Sequence, residues 1–400
     1  MSTKEIIKPG SWPFYDYEKY PFSLAVKKGG LLFISGLSAG QYDSSLKEIA
    51  CTGDVASQAR VIYQKLKLIL EAAGASFADV VKTVDYIAPD GLKDYKEVGR
   101  VRREYFADSF SAATGVVVDQ LLRLGMLLEV ECIAVLGKAR KEKIASTHPR
   151  YQKLTYREGV QRGNILCVSG TGAAHPVTRE MVGIGDVGAQ ARQIYEKIKA
   201  VLQEAGASFD DVVKTVDYLA PAGLADYKEV GRVRREYFTD TFPVSTGVIV
   251  NQLLRSEMLL EVDCIAVLGD ARKEMIASDH PRYQKLTYRE GVRKGNILCV
   301  SGTGAAHPVT REMVGIGDVV AQTRQTYEKM KTVLQAGGAS FDDVVKTVDY
   351  IAPAGLKDYK ETGEVRREYF SGTFPAAAGV AVNLLRPEML IEIDCIAVLD

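Results

Sequence analysis

The chain has no net charge, because 51 lysines and arginines meet 51 aspartates and glutamates. A general nucleic-acid binder carries a basic excess, so no nucleic-acid partner is expected. No run of about 18 apolar residues occurs, which argues against a transmembrane helix and a membrane partner. No apolar signal core follows Met1–Glu5, and the cytoplasm is the expected compartment. Six cysteines in 400 residues make no disulfide framework. Cys132, Cys167, Cys264, Cys299 and Cys395 sit in apolar runs, where a thiol acts as a small hydrophobe. The four histidines show no ligand spacing with cysteines or carboxylates, so no metal site is expected. Gly183–Gly188 spells a dinucleotide fingerprint, yet the third copy of that stretch ends in Val320 and the first reads Cys51–Asp54. It is read as a glycine loop leading to an aspartate helix cap, not as a cofactor site.

What the chain does have is repetition. Val-Val-Lys-Thr-Val-Asp-Tyr begins at Val80, Val212 and Val344, an offset of 132 residues each time. Ser-Gly closes an apolar strand at Ser35-Gly36, Ser169-Gly170 and Ser301-Gly302. Residues 148–187 and 280–319 differ only at the positions of Gln161 and Arg162. Each copy is domain-sized and can hold its own core. The units are taken as 1–137, 138–269 and 270–400. Lys138–Tyr151 and Asp270–Tyr283, with His148-Pro149 and His280-Pro281, read as linkers, whereas the first copy opens on a Trp12–Phe22 aromatic stretch.

Within a unit the pattern predicts β-β-α-β-α-β-β. In the first copy these are a hairpin of Ser23–Val26 and Leu31–Ser35, and a helix capped by Asp54 and stopped at Gly74. A strand over Val80–Ile87 follows, then a helix over Leu92–Phe106, and strands over Gly115–Leu121 and Leu127–Leu136. The helices cover one sheet face, and the other face needs a cover that three copies can give one another around a pseudo-threefold axis. The pairs Arg102-Arg103, Arg234-Arg235 and Arg366-Arg367 read as a solvated helix face. Glu129/Glu131, Glu261/Asp263 and Glu392/Asp394 stand two apart on a strand and share a face. Neighbouring acids there repel, so one of each pair should hold its proton more tightly and become a candidate acid or base.

The order of these words resembles the Rid (YjgF) family. It runs from the Ser-Gly strand through a helix beginning near Gln58, then Ala73–Phe77 and Asp79–Thr83, to Glu-x-(Glu/Asp)-x-Ile-Ala. The resemblance covers nearly the whole chain three times. It implies an α+β chorismate-mutase-like unit, a trimer built on one polypeptide, and sites in the clefts between units. It also implies a small-molecule substrate, an imine or enamine hydrolysed with no cofactor. Carried over by position, the catalytic acid falls on Glu129, Glu261 and Glu392. The substrate-binding aromatic falls on Phe22, Tyr156 and Tyr288, and the strand end on Ser35, Gly36, Ser169, Gly170, Ser301 and Gly302. Backbone N–H groups at Thr114-Gly115 and Thr246-Gly247 are candidates to steady an oxyanion, and His175 and His307 stand either at the surface or on the pocket wall. The family's carboxylate-binding arginine has no counterpart, because Ala113, Ser245 and Ala377 occupy its place, and Gly99, Gly231 and Gly363 replace an asparagine. These departures imply a roomier pocket, less selective for anions. Arg123, Arg255 and Arg386 read either as a replacement charge or as exposed turn residues. The expected function is hydrolysis or proton transfer on a small imine-, enamine- or carbonyl-bearing metabolite; the alternative is a non-catalytic binding or assembly protein.

Overall fold

A computed structural model describes residues 3–144, 153–239, 241–276, 285–370 and 372–400. Each sheet grows from a hairpin, in the first unit Ala25–Lys28 paired with Leu31–Ser38. Gly29 and Gly30 turn between them at φ of 59° and 78°, which a tight hairpin requires and glycine supplies. Helix α1, Val55–Ala72, begins where the Asp54 carboxylate accepts the Ser57 N–H at 2.8 Å. Its stripe of Ala59, Ile62, Leu66 and Ile69 is buried on the sheet. Gln58 pins the helix to the approach of the last strand, donating to Gly125 O at 2.7 Å and accepting from Leu127 N–H at 2.9 Å. Helix α2 is Lys96–Phe106. The counterparts are α3, Val187–Glu204, and α4, Lys228–Tyr237, in the second unit, then α5, Val319–Ala336, and α6, Thr362–Tyr369, in the third. No described helix is long and apolar enough to cross a membrane.

The sheet order in the first unit is Glu5–Ile7, Ala25–Lys28, Leu31–Ser38, Leu128–Val135, Val80–Ile87, Ala112–Val117. The last strand in sequence thus enters the middle of the sheet, antiparallel to both neighbours. Val80–Ile87 and Ala112–Val117 run parallel, because α2 carries the chain back between them.

Three expectations change. The second helix does not start at Leu92: Pro89–Asp94 forms a 3₁₀ turn first, as a proline at its start favours a tight entry. The strand expected over Gly115–Leu121 ends at Val117, and Gln120–Leu121 crosses to pair with Ala376–Ala381 of the third unit. The charged joints are not wholly linkers, since Lys141–Ile144 and Lys273–Ile276 are edge strands of the second and third sheets, the place Glu5–Ile7 takes in the first. Charged residues suit such an edge because they discourage pairing with another chain. His148 and His280 lie outside the described residues.

The inner faces of the three sheets meet on the pseudo-threefold axis, so the chain is a single-chain pseudo-trimer of α+β units. Tyr86, Tyr218 and Tyr350 are buried there with Val84, Val216 and Val348. Around the axis runs a closed ring of buried ion pairs. Lys82 reaches Asp263 at 2.9 Å, Lys214 reaches Asp394 at 2.5 Å, and Lys346 reaches Glu131 at 2.5 Å. Each pair joins one unit to the next.

Candidate functional site

A cleft opens at each seam. Those between the first and second, second and third, and third and first units enclose 350, 580 and 550 Å³. Glu261, Glu392 and Glu129 line them in that order and are only 5, 6 and 6 % exposed. Each lies against the backbone of a neighbouring strand at Gly170, Gly302 or Gly36. A Cβ built on that glycine would overlap the Glu Oε1 atom. Glycine is therefore what lets the carboxyl group lie where it does. Burial first, and then the neighbouring Asp263 or Asp394, pushes the Glu261 and Glu392 carboxyls up to about 8. Burial and Glu131 push Glu129 to about 7, held back by Lys346 and by the N–H of Gly379. The second acid of each pair does another job, because Glu131, Asp263 and Asp394 close the axial ion ring.

The serines of the Ser-Gly strands stitch the seams. Ser169 Oγ donates to Arg157 O at 2.5 Å and accepts the N–H of Ala113 across the seam at 2.8 Å. Ser301 and Ser35 do the same with Ser245 and Ala377. Thr114 Oγ1 donates to Asp263 at 2.8 Å and accepts the Gly170 N–H at 3.1 Å; Thr246 repeats this with Asp394 and Gly302. Ala378 stands at that position in the third unit, so the third seam lacks the hydroxyl. Gly115 and Gly247 lie on the cleft walls, as do Tyr156, Tyr288 and Phe22.

The sequence model of the endoribonuclease L-PSP family matches the chain three times, over residues 17–136, 149–268 and 282–399. The chain belongs to this family. A RutC family protein of Pyrococcus horikoshii is 36 % identical over 125 residues, which span 31 % of this chain and 97 % of that protein. A 2-iminobutanoate/2-iminopropanoate deaminase of Escherichia coli is 34 % identical over 114 residues, 28 % of this chain and 86 % of that protein. The crystal structure of a chorismatase matches 80 % of this chain and 93 % of its own with a TM-score of 0.52 at 15 % identity, a likeness of fold.

Other residues of these L-PSP clefts escape a reading of the sequence. His175 and His307 are exposed and off the cleft walls, contrary to a pocket-lining role. The Nδ1 atom of His175 accepts the N–H groups of Val177 and Thr178, which ties the ring into its own turn. The same loop sends Arg179 and Arg311 to the wall instead. Lys197 and Lys329, half-buried on α3 and α5, join them; Arg255 and Arg386, which the sequence already offers as candidates, stand on the same walls, as Arg123 does in the third cleft. These two clefts are thus rich in cations, against the expectation of weak anion selectivity. Burial, and after it Arg179, lowers the Lys197 ammonium to about 8. A hint was available: Lys65, Lys197 and Lys329 recur beside the apolar stripe of the first helix of each unit.

The third cleft differs. Its Lys65 is buried, donates to Ser38 O and Gly40 O at 2.9 and 2.5 Å, and lies under the rings of Phe14 and Tyr15. Gly36–Gly40 spells Gly-x-Ser-x-Gly, but this strand runs on to the hairpin of Gln41–Asp43 and Glu48–Ala50, not to a helix, so it builds no nucleophile elbow.

The paired arginines are a correction too. Arg102, Arg234 and Arg366 are buried, not solvated. Arg102 binds Asp85 through Nη2 and Tyr63 OH through Nε, and Tyr95 OH donates to the same Asp85 at 2.8 Å. Their neighbours Arg103 and Arg367 clasp the backbone of Lys153 and Lys19 across a seam, each at 3.0 Å. Among the described residues no group of three or more His, Cys, Asp or Glu side chains is placed to hold a metal.

Proposed function

We propose that the chain hydrolyses a small imine, formed directly or from its enamine tautomer, to a carbonyl compound and ammonia. The reaction takes place in the clefts between units and relies on side chains. The observation that carries this is the carboxyl of Glu261 or Glu392, pushed to about 8 and packed on a glycine at the cleft wall. A group poised near neutrality both takes and returns a proton.

Water adds to the carbon of a protonated imine. The Glu carboxylate takes one water proton as the new C–O bond forms and the C=N π electrons pass to nitrogen. The same carboxyl group then protonates the carbinolamine nitrogen. The C–N bond breaks, ammonia leaves, and the hydroxyl becomes the carbonyl as its proton is released. The E. coli relative is named for the deamination of 2-iminobutanoate and 2-iminopropanoate, a reaction of this class.

The test is a panel of imines generated in situ, assayed with the wild type and with Glu129→Gln/Glu261→Gln/Glu392→Gln. Turnover should fall by about a hundredfold or more in the variant, the scale of losing general acid–base catalysis. Full turnover by the variant, or none on any imine by the wild type, would remove this reading in favour of a binding protein.

A further inference from the structure

The basic wall beside Glu261 and Glu392 restrains the rise of their carboxyls through Lys197 and Lys329, but it transfers no proton in the step just described. Lys197 Nζ donates to Gly172 O at 2.7 Å, and Gly172 lies opposite Glu261 in the sheet register. Lys329 does the same with Gly304, opposite Glu392, at 2.6 Å. Arg255 Nη1 donates to the carbonyl of Arg179 at 2.8 Å. Arg179 itself sits at a φ of 67°, a conformation that side-chain-bearing residues hold only when the surroundings impose it. Its Nε atom is buried and makes no hydrogen bond among the described residues. A buried donor left without a partner is costly, and an anionic group is the partner that suits it best. These cations come from the same unit as the glutamate. Ala113, where the family resemblance places an arginine, lies across the seam.

We propose that the first two clefts grip the acid group of a small organic acid on Arg179 with Lys197, and on Arg311 with Lys329. The cleft between the third and first units does not. There Lys65 is committed to two carbonyls beneath aromatic rings, Arg123 on the wall packs against the ring of Tyr20, and a hairpin occupies the stretch of chain that supplies Arg179 and Arg311 elsewhere. The inference rests on the proposed function for taking the clefts as the substrate sites. It adds that the substrate is held from the glutamate's own unit.

Calorimetric titration of the full chain with 2-oxobutanoate, and with its neutral amide as a second probe, tests it. The acid should fill about two sites per chain and bind at least about tenfold more tightly than the amide, as charge-assisted hydrogen bonds would give. Lys197→Met/Lys329→Met should weaken the acid about tenfold or more and leave the amide unchanged. Arg179→Gln/Arg311→Gln, in a surface loop, should do the same and serves if the lysine variant does not fold. Three equivalent sites, no preference for the acid, no binding of the acid, or unchanged affinity in a folded double variant would each overturn the proposal. Binding needs no hydrolysis: acid bound at two sites without any imine turnover would sink the proposed reaction and leave the wall standing. Imine turnover indifferent to both double variants would do the reverse.

Discussion

Gly170 and Gly302 do for the site what no side chain can, since any Cβ there would meet the carboxyl oxygen of Glu261 or Glu392. Gly170→Ala/Gly302→Ala should therefore cost about 1–3 kcal/mol per site in denaturant unfolding, the usual range for overpacking. It should also abolish most imine turnover, because the carboxyl must turn away. A variant with wild-type stability and rate would show that the carboxyl does not depend on that contact. The same glutamates couple activity and stability to pH in opposite senses. An unfolded glutamate titrates near 4.5, and these sit at about 7 and 8 when folded. Between those values the folded state binds more protons, so stability is fully present below about 4.5 and falls as pH rises to about 8. As general bases the same groups must lose the proton, so kcat/KM should rise through pH 7 to 8. Unfolding midpoints and pH–rate profiles read both. The triple Glu→Gln variant should lose most of the downward stability slope across that window, and an unchanged slope would assign it to other groups.

At the scale of elements, the buried arginine of the second helix matters more than its exposed appearance in the sequence suggests. Arg234 joins Asp217 at 2.5 Å and Tyr195 at 2.9 Å, tying α4 to its sheet and to α3. Removing one partner of a buried pair strands the other charge. Arg234→Met should thus cost about 3–5 kcal/mol, while Arg232→Met, at an exposed pair with Glu229, should cost under about 1 kcal/mol. Unfolding of both variants by urea compares them directly. The sequence hides this because adjacent helical residues point about 100° apart, so one member of an Arg-Arg pair can turn inward with Val230 and Val233 while the other stays out. Strands and first helices were legible because their periodicity is strong and stated three times over. The two-apart acids were legible for the same reason, as a strand's period of two puts them on one face. Edge strands such as Lys141–Ile144 were not, since most of that segment is charged and carries no apolar alternation. Arg179 was not either, because it reaches its cleft through a loop whose path no periodicity encodes.

The whole molecule is a ring of three seams made by one chain. Every sheet already has its partners, so light scattering should give a mass near 43.7 kDa, and a stable association of three chains would contradict that. The threefold arrangement itself was readable, because three long copies each need a cover for one sheet face. What was not readable is how the seams close: in the sequence the axial acids fall into one group with the cleft acids, and only the fold divides them between two roles.

The head-to-tail ion ring has a consequence for assembly. A seam that joins each unit to the next does not record whether that next unit belongs to the same polypeptide. Lys82–Asp263 and Lys214–Asp394 are near copies of one another, so the surfaces of one molecule also fit those of a second. Tethering wins at low concentration, because the local concentration of a linked unit reaches the millimolar range. Crowded refolding works against that advantage, since an unclosed ring is an open-ended connector. Refolding at rising protein concentration, followed by size-exclusion chromatography, should yield a ladder of species one chain apart, made of correctly folded units that have closed with the wrong neighbour.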